Sequence, residues 1–206
     1  MKPILLTVAG NPENQDRGIA IQEGARVVIC VADGAGGLSG GAEAATLAIE
    51  MVRQNASLLN DTSSCAELLR KMDIAIAKDP IAGETTCVLV VVASKEIFGA
   101  SVGDSGVWLI PENGSVLSLT LNQQRKPFIG SSNASPISFE QLYEKGSLLL
   151  ATDGLLKYAA AERIAETCRE NPAQLAAERL IELVRYPSGA LPDDVTLILT
   201  KLDMHP

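Results

Sequence analysis

The chain has 206 residues, 47% of them apolar and only 3% aromatic, which is long enough to bury a large core built mainly from Leu, Ile, Val and Ala. A formal charge of −8, with 17 basic against 25 acidic residues and no Lys/Arg block, excludes a surface built for nucleic acid or anionic lipid. No stretch reaches the ~20 apolar residues that span a bilayer, and no early apolar segment leads to a cleavage site, so a single cytoplasmic domain over residues 1–206 is expected.

Residues 3–9 read as an edge strand and Gly10 to Asp16 as a turn-rich loop. Ile19–Ile21 and Val27–Val31 flank Gln22-Glu23-Gly24-Ala25, which has the length of a hairpin connection. Asp16 and Asp33 then stand at the outer ends of two paired strands, where they are neighbours in space. The second strand runs into Asp33-Gly34-Ala35-Gly36-Gly37, and a later apolar run, Leu148–Ala151, ends in the same way at Asp153-Gly154. Carboxylates closing two apolar strands can gather hard oxygen ligands around a cation, although Asp-Gly is also a common turn dipeptide.

Ala42–Val52 predicts a helix with a broad apolar stripe whose small residues allow close approach to a sheet. A second helix is predicted over Ser64–Ala77, with Ser64 and Glu67 at capping-box spacing. Thr85–Ala93 is β-branched and apolar, as a central strand requires. Ile97–Val102 and Gly106–Ile110 flank Gly103-Asp104-Ser105, which reads as a hairpin turn, and after the turn Pro111-Glu112-Asn113-Gly114 the stretch Val116–Leu119 returns as a short strand.

Residues 122–144 carry little periodicity beyond a short strand at Pro136–Phe139, and their length marks them as a surface or substrate-facing excursion, functional or mobile. Ala160–Cys168 predicts a short helix. Asn171-Pro172-Ala173-Gln174 offers an N-cap, a proline at the first helical position and a capping-box residue for a helix to Val184. Asp193 and Asp194 precede a last strand, Val195–Leu199. A meander of strands favours antiparallel sheets and an α+β class. Two sheets face to face with helices outside would bury every apolar face, while periodicity alone leaves a two-layer sandwich open.

Cys30, Cys65, Cys87 and Cys168 are widely spaced without a CxxC, which predicts buried free thiols in a reducing compartment. The single histidine, His205, lies beyond the last strand, where a chain end is poorly held for Ser-His-Asp chemistry.

Five stretches in order, Asn14-Gln15-Asp16, Asp33-Gly34-Ala35-Gly36-Gly37, Gly103-Asp104-Ser105, Ala151-Thr152-Asp153-Gly154-Leu155 and Asp193-Asp194-Val195-Thr196, resemble the motifs of the PPM/PP2C metal-dependent protein phosphatases, with Glu84-Thr85-Thr86 similar to that family's Gly-Thr-Thr strand start. The resemblance runs from about residue 10 to 202. It implies a four-layer α/β/β/α sandwich with two central, mainly antiparallel β-sheets, and two Mn2+ or Mg2+ ions with a weaker third at one end of the sheets.

On that resemblance Asp33 corresponds to the carboxylate bridging the first two ions and Gly34 to a carbonyl ligand. Asp153 and Asp193 correspond to ligands of the second ion, Asp104 to the ligand of the third, and Asp16 to an outer-shell acid. Asp33, Asp153 and Asp193 would together position a metal-activated water for attack on phosphorus, as two ions ~3.5–4 Å apart allow. The implied activity is hydrolysis of phosphoserine and phosphothreonine in proteins, the substrate being a kinase-regulated signalling protein and the enzyme a monomer.

Two features depart from the family pattern. Asn11 occupies the position of the arginine that often clamps the substrate phosphate, leaving Arg17 as a nearby candidate for that contact. The connection from Pro111 to Ser147 is short, which implies an open site. A catalytically weak phosphoprotein-binding module of the same fold and a phosphatase of small phosphomonoesters are the alternative readings.

Overall fold

Ten strands and five helices follow one another in the computed structural model, which describes residues 1–35 and 39–203. Strands β1 (Ile4–Val8), β2 (Asp16–Glu23) and β3 (Arg26–Asp33) lead to helices α1 (Gly41–Asn55) and α2 (Thr62–Ile76), joined by a 3₁₀ turn over Ala56–Leu58. The meander β4 (Cys87–Ala93), β5 (Glu96–Val102), β6 (Gly106–Pro111), β7 (Leu117–Ser118), β8 (Ile137–Leu142) and β9 (Gly146–Ala151) comes next. Helices α3 (Asp153–Leu156), α4 (Ala161–Glu170) and α5 (Ala173–Leu183) precede the last strand, β10 (Val195–Leu202). Gly36, Gly37 and His205, singled out in the sequence, lie outside the described residues.

The strands form two five-stranded sheets, ordered β1-β10-β9-β6-β7 and β2-β3-β4-β5-β8, with every pair antiparallel. Side chains alternate across each strand with a period of two. Val27, Ile29 and Val31 of β3 and Val88, Val90 and Val92 of β4 meet Leu148 and Leu150 of β9 and Ile198 of β10 between the sheets. The alternate residues Val28, Cys30 and Ala32 face α1 and α2, where Ala44, Ala45 and Ala48 bring the first helix close to its sheet. On the opposite side Leu149, Leu197 and Leu199 pack against α4 and α5 through Ile164, Cys168, Ala177 and Leu180. The result is the expected α/β/β/α arrangement, and covering both faces explains why the central strands read as unbroken apolar runs.

Three local expectations are corrected. Gly103-Asp104-Ser105 is not a hairpin turn: β5 pairs with β4 and β8 in one sheet, whereas β6 pairs with β7 and β9 in the other, so the turn carries the chain from sheet to sheet. Helix α2 is capped by Asp61, whose carboxylate accepts from the Ser64 amide at 2.7 Å while Ser64 Oγ accepts from the Asp61 amide at 3.1 Å. Ser64 is thus the third helical residue of the box, and Glu67 instead faces Arg70 and Lys71 on the surface. Asn171 does not cap α5. Its amide donates to the Thr167 carbonyl and its oxygen accepts from Arg179, so the side chain ties the end of α4 to the middle of α5.

All four cysteines are buried and free. Among the described residues no helix is long and apolar enough to cross a membrane.

Candidate metal centre

The functional motifs meet where the layer between the two sheets opens to solvent. Asp33 extends the inward-facing Val27-Ile29-Val31 row of β3 by one step, which aims its carboxylate into that mouth. Its backbone is clamped: the amide donates to Thr86 Oγ1 at 3.1 Å, and the carbonyl accepts from the Thr86 amide at 2.8 Å and Thr85 Oγ1 at 2.9 Å. Thr86 Oγ1 in turn lies 2.7 Å from Ser105 Oγ, so the same threonine ties the Asp33 strand to the crossover that carries Asp104.

Gly34 follows at a point where any Cβ would run into the backbone of Gly41, which explains why glycine stands there. The second aspartate-glycine pair has a similar reason. Asp153 opens α3 directly after β9, and a side chain at Gly154 would collide with the Asp194 carbonyl.

Asp193 and Asp194 precede β10 and divide their work. The Asp193 carboxylate accepts from Asn11 Nδ2 at 3.0 Å. Asp194 is 6% exposed and accepts three backbone amides, from Gly10 at 2.8 Å, Asn11 at 3.0 Å and Gln15 at 2.9 Å, fastening the loop before β2 against the site. The sequence pointed to Asp194 only as a motif position. Its part as the anchor of residues 10–15 emerges from contacts that span more than 170 residues of chain.

Asp33, Gly34, Asp104, Asp153 and Asp193 all line one cavity of about 480 Å3, together with Asn11, Gln15, Glu84, Thr86, Arg125, Lys126 and Phe128. Asp16 does not reach it. It lies 2% exposed directly opposite Asp33 in the β2–β3 register and accepts a hydrogen bond from Thr152 Oγ1 at 2.8 Å. Arg17, the sequence candidate for a phosphate contact, points elsewhere. Alternation along β2 sends it toward α1, where it donates to Thr46 Oγ1 and to the carbonyls of Asn14 and Asp16 and lines a separate cavity.

Glu84, Arg125 and Lys126 are cavity residues that the sequence did not single out for chemistry. Glu84 carried a signal, because it begins the stretch that resembles the family's Gly-Thr-Thr. Arg125 lies in the aperiodic excursion and carried none, and Lys126 only begins the stretch Lys126-Pro127-Phe128-Ile129-Gly130, which is similar to a segment of compact family members.

The electrostatics of this mouth are unfavourable for bare carboxylates. Burial, together with the charges of Asp16, Asp153, Asp104 and Asp193, pushes the Asp33 carboxyl up to about 9. Burial also raises Asp153, with Asp104 and Asp193 adding to the rise and Lys157 and Arg125 opposing it. Asp16 is raised by burial to about 7, although the hydrogen bond from Thr152 works in the other direction.

A divalent cation would relieve this repulsion, and the all-oxygen donor set suits Mg2+ or Mn2+. Among the described residues no three acidic, histidine or cysteine side chains converge on a single ion-sized point. The carboxylates instead ring a cavity with room for water, which fits hard ions that keep several waters in their coordination shell.

Comparison with known proteins bears on the fold and the family. The crystal structure of a bacterial serine phosphatase superposes with a TM-score of 0.87 at 18% identity, covering 100% of this chain and 99% of that one. The serine/threonine phosphatase Stp1 from Staphylococcus aureus gives a TM-score of 0.82 at 18% identity, over 98% of this chain and 95% of the other. RsbX in complex with magnesium gives 0.77 at 18% identity, over 98% and 94%. At these identities the likeness is one of fold. No curated protein matches the chain. The family model described as protein phosphatase 2C matches residues 8–185, and the chain belongs to that family.

Proposed function

We propose that residues 1–206 form one Mg2+- or Mn2+-dependent phosphatase domain that hydrolyses phosphoserine and phosphothreonine in proteins. The observation that carries this reading is the convergence of Asp33, Asp104, Asp153 and Asp193, from four separate parts of the chain, on one cavity. Asp33 and the Gly34 carbonyl would hold the first ion, Asp33, Asp153 and Asp193 the second, and Asp104 a weaker third. Bound there, such ions supply Lewis acidity and a nucleophile at neutral pH. Asp16 acts from beneath by supporting Asp33.

The described residues lining the cavity include no cysteine, histidine or serine, and the one hydroxyl, Thr86 Oγ1, is engaged with Ser105 and the Asp33 amide. A phosphoenzyme on cysteine, histidine, serine or threonine therefore has no free nucleophile, and carboxylates engaged in holding cations would be poor ones, which supports transfer of the phosphoryl group directly to water. The open cavity suits an exposed phosphorylated side chain on a protein surface. Four reduced, buried thiols support a cytoplasmic setting, and the chain is proposed to act as a monomer on signalling proteins controlled by a kinase.

The test is phosphate release from a phosphothreonine peptide and from p-nitrophenyl phosphate with added Mn2+, for the wild type and Asp33→Asn. The reading predicts release from both substrates and a loss of roughly a hundredfold or more in the variant. Equal rates would reject it. Turnover of the small ester alone would assign the chain to small phosphomonoesters, and tight peptide binding without release would make it a binding module.

A further inference from the structure

Among the described residues that line the cavity, a phosphate monoester meets six carboxylates and two cations, Arg125 and Lys126. The other basic candidate, Arg17, is committed to Thr46 and two carbonyls on the far side of β2. Asn11 directs its amide to Asp193. The positive side chains that line the cavity therefore both belong to the excursion between β7 and β8, while Lys157 stands outside the lining, 3.9 Å from Asp153 Oδ2.

That segment is built as a short arch with fixed feet. On one side Gln123 Nε2 donates to the Ser105 carbonyl at 2.6 Å. On the other, Thr85 and Ile129 exchange backbone hydrogen bonds of 2.9 and 3.0 Å, and the buried Asp73 of α2 accepts the amides of Gly130, Ser132 and Ala134. Residues 124–128 span the gap between these anchors at the cavity wall. Arg125 Nε donates to Asp104 Oδ2 at 2.6 Å, yet the side chain is 71% exposed and its remaining guanidinium donors have no protein partner among the described residues. A singly bonded, exposed ion pair is weakly held.

We infer that Arg125 is the phosphate-binding arginine of this chain, resting on Asp104 until a divalent cation takes that carboxylate and then turning onto the phosphoryl oxygens of the substrate. A cation at Asp104 repels the guanidinium at short range, and the freed fork can pair with two phosphoryl oxygens at once. Charge from the arch thereby replaces the contact that Asn11 cannot make. This inference rests on the phosphatase reading above.

The experiment compares wild type, Arg125→Met and Arg125→Lys. Three readouts are taken: calorimetric titration with Mn2+, KM against kcat on a phosphothreonine peptide, and inhibition by inorganic phosphate. Because Arg125 is exposed, its replacement leaves the core intact. Arg125→Met is expected to raise KM and the phosphate inhibition constant roughly tenfold or more with a smaller change in kcat, and Arg125→Lys to recover part of the loss. The weakest Mn2+ site is expected to bind several-fold tighter in Arg125→Met, since a competing charge has gone.

Wild-type KM and phosphate inhibition in Arg125→Met, with turnover still dependent on Asp33, would overturn the inference and leave the phosphatase reading standing. Unchanged Mn2+ affinity would overturn the resting position on Asp104. Absence of Asp33-dependent turnover in the wild type would instead reject the phosphatase reading, and tighter Mn2+ binding in Arg125→Met would still support the exchange at Asp104.

Discussion

Asp16 and Asp33 are direct partners in the β2–β3 ladder, yet only Asp33 faces the cavity, while Asp16 is turned to Thr152 in the opposite sheet. The pair therefore joins the two sheets at the site. It also places a buried and a partly buried carboxyl side by side, which is unfavourable unless one is protonated or a cation is near.

The metal-free protein is accordingly expected to lose stability as pH rises. Both carboxyls have folded-state values above the ordinary 3.8, about 7 for Asp16 and about 9 for Asp33, so the protonated forms favour the folded chain. Their contribution is complete below about 4 and is lost as pH rises, through about 7 for the first and about 9 for the second. Thermal unfolding in EDTA should show Tm falling from pH 5 to pH 9, and saturating Mn2+ should remove most of that slope by holding the carboxylates in their charged form. A Tm independent of pH in EDTA would contradict the crowding of these groups.

Asp194→Ala should cost more than a surface substitution. It leaves the amides of Gly10, Asn11 and Gln15 without their carboxylate, so a loss of about 1–3 kcal/mol is expected in urea unfolding. The same change frees the loop that brings Asn11 to Asp193, and Mn2+ affinity should fall roughly 10- to 100-fold.

Asp73→Ala separates anchoring of the excursion from chemistry. Asp73 lines no part of the metal cavity, but it accepts three amides of the segment after the arch. Amide hydrogen exchange at Gly130, Ser132 and Ala134 should rise by at least about tenfold. Mn2+ affinity should stay close to that of the wild type, because Asp33, Asp153 and Asp193 keep their supports.

The parts of this architecture that were legible in the sequence are those governed by local period and turn length. Alternation with a period of two along Val27–Asp33, and a short connection at Gly24, were enough to set Asp16 against Asp33. The same alternation held the answer for Arg17, since a residue next to Asp16 must face the other side of the sheet, toward α1. What period cannot tell is which sheet a strand joins. Ile97–Val102 and Gly106–Ile110 look alike as strands, and only tertiary pairing makes Gly103–Ser105 a crossover.

The choice of cap residue is likewise set by more than local preference. Asp61 and Ser64 both favour the start of a helix, and Asp61 takes the cap because Ser64 then serves as its reciprocal partner. Arg125 was invisible because the excursion follows no period, and its position is set by distant anchors at Ser105, Thr85 and Asp73.

The most direct test is anomalous diffraction at a manganese absorption edge from crystals grown with excess Mn2+. The account predicts two strong peaks, one beside Asp33 and the Gly34 carbonyl and one shared by Asp33, Asp153 and Asp193, with a weaker third at Asp104. Manganese bound elsewhere, or Asp33, Asp153 and Asp193 too far apart to share an ion cluster when Mn2+ is saturating, would contradict it.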